Sequence, residues 1–419
     1  MSGKRGFQIQ RTFVALVLSL AATRAHAQAP VTSGTDDQST PESPPGRIEK
    51  ILERADRWFG GADGPSKPGF YPEFKHQITG SGWVSIGPGY RYEFLDRRAV
   101  IDGSAAVSWR GYEIAQGRFE VSDLANHHVT VGSQVFWQDA KQITYFGVGS
   151  ATSHSDRSEF RMRTTNVVGY SSYQATSWLV VSGTFGWLHE PTLASPTGAF
   201  LRGYPSALDT FPTDPGVQQQ PNFLHGSVSV VADTRSHPDY SREGFLYRAA
   251  AAIYSDRDLG QYSFRRSEVE GVQYVPVIPN RVTLALRGWA VFSDTSAGNA
   301  VPFYMLPTIG GNNTLRGFLD YRFHDRDLLL ANGEVRVHVH PKIDVAGFLD
   351  AGNVAARAND LDLRKTSWGG GVRLHGATAT LGRFDIAHSV EGWRYVFRMN
   401  DPFHLARLLR RTATTPFVP

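Results

Sequence analysis

The feature that most constrains this chain is a strict alternation of apolar and polar residues. Between positions 329 and 340, the odd positions hold only Leu, Ala, Gly and Val, while the even positions from 332 onward hold Asn, Glu, Arg and His. Segments near 227–233, 281–287 and 393–399 repeat the alternation. A period of two is that of a β-strand whose two faces meet different surroundings. The chain is therefore predicted to be all-β.

The polar faces of several of these strands carry arginine, as at Arg287, Arg336 and Arg394. In a soluble sandwich, the apolar faces would point at a core, and such charged faces would be hard to place on a small sheet. In a membrane barrel, the apolar faces meet lipid and the charged faces line a wet interior. The mean hydropathy of −0.29 suits a barrel, because alternation keeps the bulk hydropathy low.

Fifteen strands are predicted from the alternation and the turn residues. They lie near 80–95, 98–109, 112–122, 127–139, 158–171, 176–189, 223–234, 244–256, 262–274, 281–293, 328–340, 343–352, 366–376, 378–388 and 392–400. A single-chain bacterial barrel has an even number of strands, so a sixteenth is expected in Phe70–Thr79 or Gln142–Gly149. The predicted fold class is all-β, a transmembrane antiparallel β-barrel of sixteen strands, with a short N-terminal helix. Long connections near Glu190–Pro221 and Thr295–Asp327 are expected to be extracellular.

The N-terminal region has the order of an exported protein. Residues 1–27 have a basic start, a short apolar core and the cleavage site Ala25-His26-Ala27, which predicts a signal peptide. Residues 28–69 are predicted to be a disordered leader that ends in an amphipathic helix, Arg47–Phe59, which either packs at an interface or plugs the lumen. The barrel is predicted over 70–403, and a tail over 404–419 is either a periplasmic helix or a plug.

Several function classes are disfavoured by composition. The formal charge of +4 and the lack of a Lys/Arg-rich run argue against nucleic acid as a partner, and zero cysteines exclude disulfides and cysteine-ligated metals. His338 and His340 share one face and could bind a metal with His324, but a polar barrel wall explains them better. Asp385 and His388 lie near each other without a serine placed beside them. We therefore expect no enzyme activity, cofactor or metal.

Three successive motifs narrow the prediction to a family. The glycine-rich segment Gly310–Phe318 contains Arg316-Gly317-Phe318, and the strand Asn332–His340 and the strand Ile343–Asn353 follow it. This order resembles the late strands of the BamA/TamA superfamily of outer-membrane barrels, also described as the bacterial surface antigen type. The resemblance covers about residues 143–403. It implies that a long extracellular loop folds back into the lumen, where its arginine pairs with acidic residues of the inner wall.

The residues that would form this loop lock can be assigned one by one. Strand parity places Glu334 and Asp350 on the inner faces of two adjacent strands, so both can look into one cavity. Arg316 could pair with either carboxylate in bidentate fashion. Gly317 is expected to allow a positive φ at the loop tip, and Phe318 to wedge the tip against the wall. The alternative is a solvent-exposed Arg-Gly turn without a partner.

A second candidate site is the seam between the first and last strands. Glycines leave the predicted first strand poor in side chains, and the last strand is aromatic. The seam residues are Gly80, Gly82, Gly87, Gly89, Trp393, Tyr395 and Phe397. In the family, such a weak seam is thought to open sideways and template an incoming strand. The alternative is that the glycines only relieve crowding in a curved wall.

The resemblance implies an insertion or translocation factor in the outer membrane of a Gram-negative bacterium, and the alternative is a passive pore or scaffold. The expected partners are outer-membrane lipids and unfolded outer-membrane or secreted proteins. Between Gln28 and the first predicted strand there is too little chain for a periplasmic POTRA domain, so we expect a short form of the family. A separate periplasmic domain protein could supply that part. Phe403 stands where the family's last strand commonly ends the chain on an aromatic residue.

Overall fold

The computed structural model describes residues 68–73, 85–197, 203–235, 240–376 and 380–403. The predicted signal peptide, the leader up to residue 67 with its amphipathic helix Arg47–Phe59, Gly80, Gly82 and the C-terminal tail 404–419 lie outside the described residues.

Sixteen strands form one antiparallel sheet, and each pairs with the strands that precede and follow it in the sheet order. The first eight are β1 (Gly69–Glu73), β2 (Ser85–Phe94), β3 (Ala99–Ser108), β4 (Glu113–Asp123), β5 (Val129–Tyr145), β6 (Ser158–Thr176), β7 (Leu179–Ala194) and β8 (Phe223–Asp233). The second eight are β9 (Gly244–Asp256), β10 (Phe264–Ile278), β11 (Val282–Thr295), β14 (Asp327–His340), β15 (Ile343–Ala355), β16 (Lys365–His375), β17 (Thr380–Ser389) and β18 (Gly392–Arg398). Two short strands, β12 (Thr308–Ile309) and β13 (Phe323–His324), pair separately inside the connection from β11 to β14.

The predicted strand count is confirmed, since every predicted strand has a counterpart and the sheet has sixteen. The strand without its own alternation signal is β1, at the start of the predicted stretch Phe70–Thr79. The other stretch, Gln142–Gly149, is not a separate strand, because β5 continues through a bulge near Ala140 to Tyr145. Alternation is lost at that bulge, which explains why the sequence pattern stopped early.

The two faces of the sheet differ as the alternation predicts. On β14, Val335, Val337 and Val339 are exposed on the outer face, whereas Glu334 and Arg336 are fully buried on the inner face. The same separation holds for β11 and β18. Valine side chains on a continuous outer face suit contact with lipid. Charged side chains that are buried on the inner face require ion-pair or hydrogen-bond partners there.

Short helical segments lie in the connections. They are α1 (Leu124–His127), α2 (Ala207–Thr210) and three 3-10 turns, His154–Asp156, Phe303–Met305 and Ala358–Asp360. In the parts of the chain that the structure describes, none of the helices has the length and apolarity needed to traverse a membrane.

A hydrophobic cluster covers the end of the sheet that carries the long connections, and we call it the cap cluster. Its strand residues sit where β5, β6, β7, β8 and β10 meet those connections, and its loop residues come from 195–222 and 296–326. The members include Tyr145, Phe160, Leu188, Phe223, Phe264, Ala207, Val217, Val301, Phe303, Tyr304, Met305, Leu306 and Tyr321. Burial of large aromatic side chains against one another holds the two long loops down on this end of the sheet.

The outer-face assignment predicts a depth-dependent cost for charge. Val335→Arg should lower the free energy of unfolding in lipid by about 2–4 kcal/mol, because the guanidinium must enter the hydrocarbon. Val339→Arg, next to the turn after β14, should cost at most about 1 kcal/mol. Denaturant titration of both variants in the same bilayer checks the difference. Equal costs would show that Val335 does not face the membrane interior.

Candidate functional site

The connection from β11 to β14, residues 296–326, turns onto the inner face of the sheet, and we call it the inward loop. Leu315 and Phe318 of the loop are buried in an apolar patch with Trp289 on β11, Leu330 on β14 and Val354 on β15. The turn begins at adjacent glycines 310 and 311, whose φ values are +112° and +107°. Side chains rarely adopt this backbone region, so glycine is required there.

Arg316 at the tip of the inward loop is buried between two carboxylates. Its Nη1 donates to Oε2 of Glu334 at 2.7 Å, and its Nη2 and Nε donate to Oδ1 and Oδ2 of Asp350 at 2.7 and 3.0 Å. The backbone N–H of Arg316 also donates to Asp350 Oδ2 at 3.1 Å. The guanidinium stacks over the Phe348 ring, 3.4 Å from its centroid. Because the forked N–H groups of the guanidinium bind two carboxylates, these contacts fix the orientation of the loop tip as well as its position.

Each carboxylate is shared with other groups of the inner wall. Glu334 also accepts from Arg336 Nε at 2.9 Å and from Arg373 Nη2 at 3.0 Å. Asp350 also accepts from the Asn332 amide at 2.9 Å and the Ser367 hydroxyl at 3.1 Å. Both carboxylates therefore keep partners when the loop leaves. The oxygens of both carboxylates accept hydrogen bonds in addition to their ion pair with Arg316. Such additional hydrogen bonds are what makes a buried charge tolerable.

Electrostatics favours the charged form of the loop arginine. Burial alone would lower the pKa of Arg316, but the carboxylates of Asp350 and Glu334 outweigh it and raise that pKa above its ordinary value. Arg316 thus stays cationic whenever the loop is docked, and the attraction is permanent.

Gly317 and Phe318 meet the wall in different ways. The prediction of a positive φ at Gly317 is wrong, because Gly317 is not among the glycines with a positive φ. Glycine is needed for close approach instead, because a Cβ at this position would lie 2.7 Å from Ser367 Cβ and 2.9 Å from the His388 backbone. The Phe318 ring is buried and meets Phe323 edge-on, with 5.3 Å between centroids.

The inward loop reaches the last two strands as well. Arg383 on β17 donates through Nη2 to the carbonyl of residue 312 at 2.7 Å, and Ser389 Oγ donates to the carbonyl of Gly317 at 2.8 Å. Arg394 on β18 donates through Nη2 to Asp320 Oδ1 at 2.6 Å. The loop is therefore bonded to the inner faces of β14, β15, β17 and β18.

Two arginines of this wall, Arg373 and Arg383, were not singled out from the sequence. Arg373 and Arg383 both contact Asp385, and Arg373 also reaches Glu334, so they extend the charge network around the lock. Parity would have placed all three on inner faces, as it placed Glu334. The register between neighbouring strands decides which arginine meets which carboxylate. The sequence of a single strand does not contain that information.

The predicted seam residues separate in the structure. Trp393, Tyr395 and Phe397 lie on β18 and are exposed on its outer face. The placement of Gly87 and Gly89 on the first strand is wrong, because they lie on β2 and pair with β1. A Cβ at Gly89 would lie 2.2 Å from the Tyr71 ring, so this glycine makes room for an aromatic side chain of β1. Close packing thus accounts for Gly89.

The minor candidate sites do not assemble. His338 contacts Asp344 at 2.7 Å, His340 is exposed at the end of β14, and His324 packs in the inward loop beside Tyr145. Within the described ranges, no group of three or more His, Asp or Glu side chains has a metal-binding arrangement. Asp385 is buried on the inner face, whereas His388 packs against Trp393 at the outer face with the rings tilted by 60°, so this pair does not form a dyad.

The fold and the docked loop define an outer-membrane β-barrel. A family model, the Omp85 superfamily domain, matches residues 117–395, which is more than half of the chain. The protein belongs to the Omp85 superfamily, whose members insert or transport proteins, and the predicted resemblance to the BamA/TamA group is confirmed. The protein is therefore located in the outer membrane of a Gram-negative bacterium.

Solved structures agree on the fold. The chain is similar to BamA from Haemophilus ducreyi lacking POTRA domains 1-3, with a TM-score of 0.58 and 14% identity over 84% of this chain and 77% of that one. It is also similar to CdiB from Escherichia coli, with a TM-score of 0.51 and 12% identity over 80% of this chain and 62% of that one. No curated protein matches the sequence.

The geometry of the lock predicts a large effect for Arg316→Ala. Removing the guanidinium from two buried carboxylates should lower the free energy of unfolding by about 3–5 kcal/mol, with the lower end favoured by their remaining partners. Denaturant titration and protease digestion of residues 296–326 measure the loss.

Arg364→Ala is the matched control, because Arg364 pairs with Asp362 at an exposed position of the β15–β16 connection. We expect no measurable change for it. Equal stability and equal loop protection in Arg316→Ala and Arg364→Ala would contradict a stabilising role of Arg316.

Proposed function

We propose that this barrel assists the insertion or translocation of outer-membrane or secreted proteins. In this proposal the inward loop is a fixed brace and the end of the sheet at β18 is the working edge. Lipids surround the barrel, and an unfolded outer-membrane or secreted protein is the substrate. A separate periplasmic domain protein is a candidate partner. Membership of the Omp85 superfamily supports the proposal at the level of class.

The observation that carries the proposal is the path of the inward loop across the inner wall. Bonds from Arg316 to β14 and β15, and from Arg394 on β18 to the loop, hold this part of the sheet as one unit. A braced wall presents its last strand in a constant geometry. An edge strand exposes backbone N–H and C=O groups that can pair with an incoming strand, the mode of β-augmentation.

The length of the last strand supports the same assignment. In the sixteen-stranded sheet, β18 has 7 residues, whereas β5 and β6 have 17 and 19. A short strand contributes few ladder hydrogen bonds, so β18 is a weak pairing partner. Exchange of pairing partners is expected to begin there.

The passive pore is the alternative, and the cap cluster argues against it. Tyr145, Phe160, Phe303 and Met305 pack with ring centroids as close as 4.8 Å for Tyr145 and Phe303, and all four side chains are buried. A further part of the inward loop, with Leu315 and Phe318 buried against the wall, adds a second covering inside the barrel. A freely conducting channel needs an open lumen, which large barrels provide when loops do not fill them.

Reconstitution in liposomes tests the proposed activity directly. The folding rate of an unfolded outer-membrane protein is measured with empty liposomes, with the wild type, with Arg316→Ala and with Arg364→Ala. We expect clear acceleration by the wild type and by Arg364→Ala, and a loss of acceleration in Arg316→Ala because the brace is released. Absence of acceleration by a correctly folded wild type would contradict the proposal.

Conductance separates the two functions independently. In planar bilayers the wild type should remain closed for most of the recording, because cap cluster and inward loop block the lumen. Arg316→Ala should show more frequent openings, since its loop is less firmly docked. A steadily open wild-type channel would support the passive pore.

A further inference from the structure

The chain that follows β18 turns into the barrel instead of continuing along the wall. Asp401 and Phe403 are both buried, with 1% of their surface exposed. Asp401 meets Arg336 through both carboxylate oxygens, with Nη2 at 3.1 Å from Oδ1 and Nη1 at 2.8 Å from Oδ2. The backbone N–H of Phe403 donates to Asp401 Oδ1 at 2.8 Å, which fixes the turn between the two residues. We call residues 399–403 the C-terminal run.

The run ends in an apolar site on the far side of the network. Phe403 is buried with Val272 and Tyr274 of β10 and Ala285 of β11. The Arg336 guanidinium lies 5.6 Å from the centroids of both the Phe403 and the Tyr274 rings. Since β14 to β17 separate β11 from β18 in the sheet, the run links the last strand to a distant part of the wall.

The same arginine connects the run with the loop lock. Arg336 donates through Nε to Glu334 Oε1, and Glu334 Oε2 accepts from Arg316. Asp401, Arg336, Glu334 and Arg316 thus form one line of alternating buried charges, each 0–1% exposed at the side chain. Removing Asp401 takes one of two carboxylate partners from Arg336 and leaves it Glu334, which Arg316 and Arg373 share.

We propose that the C-terminal run is an internal latch that regulates movement of β18. This inference rests on the proposed function, since it concerns the same working edge. Sideways displacement of β18 pulls Asp401 from Arg336 and Phe403 from its apolar site. The latch therefore holds the last strand in place at rest, and its release lowers the barrier to opening the edge.

Thiol labelling tests the closed state of the latch, because the chain has no cysteine of its own. Phe403→Cys introduces a single thiol, and its reaction with a maleimide is followed in the folded barrel in liposomes. We expect labelling roughly tenfold slower than after unfolding, and a rise towards the unfolded rate when Asp401→Asn is added. Fast labelling with Asp401 intact would overturn the proposal.

Hydrogen exchange tests the effect on the strand without changing Phe403. Asp401→Asn is compared with Asp362→Asn, which neutralises a carboxylate in the exposed β15–β16 connection. Exchange of the β18 amides should be several-fold faster in Asp401→Asn and unchanged in Asp362→Asn, with both variants shown to be folded. Equal β18 exchange in the two variants would overturn the latch.

The folding assay distinguishes failure of the latch from failure of the proposed function. If the barrel accelerates folding, Asp401→Asn should raise that acceleration several-fold above the wild type, opposite in sign to Arg316→Ala. An unchanged rate with released labelling would overturn the regulatory role. A wild type without acceleration would contradict the proposed function, while labelling and exchange would still decide whether the latch exists.

Discussion

One buried guanidinium between two strands is the interaction on which the rest of this barrel depends. Arg316 costs much to desolvate, and only two carboxylates at bonding distance offset that cost. Those carboxylates come from β14 and β15, in whose ladder Asn332 pairs with Asp350 and Glu334 with Phe348. A slip of one residue in either strand would turn its carboxylate towards lipid. Docking of the loop therefore requires the native register, and the docked loop in turn favours that register.

The charge network extends from this pair over one half of the wall. Arg373 on β16 joins Glu334 to Asp385 on β17, which also pairs with Arg383, while Arg336 carries the network to Asp401 beyond β18. By contrast, the inner faces of β7 and β8 meet through hydroxyls, as in the 2.7 Å contact between Thr184 and Ser227. Among the described residues, the ion pairs in which both side chains are fully buried all lie on β14 to β17, the inward loop and the C-terminal run. Buried pairs add little net stability, so we interpret their value as fixing one arrangement of loop and strands.

In the proposed activity, the wall that the inward loop holds together and the short last strand have complementary roles. A strand that exchanges partners needs few hydrogen bonds to lose, which suits the short strand β18. A wall that stays intact during the exchange needs contacts other than the ladder, and the inward loop provides them. The C-terminal run would add a reversible restraint at the one strand where both requirements meet.

The sequence by itself determined the strands and their faces. Alternation is a local property, so it predicted fifteen strands and placed Glu334 and Asp350 on the inner face before any contact was known. The motif order around Arg316 also predicted the family. The described part of β1, Gly69–Glu73, shows no alternation, so it was not predicted as a strand of its own, and this omission moved the predicted seam glycines one strand too far out.

Only the tertiary structure decided which groups meet. Gly317 is glycine because Ser367 and the His388 backbone approach it from two other strands, a requirement that no local pattern contains. The partners of Arg336 and Arg394 depend on where the inward loop and the C-terminal run cross the lumen. Such pairings join residues up to 76 positions apart. Sequence parity assigns a side chain to a face, whereas the register between strands and the path of the loops select its neighbour.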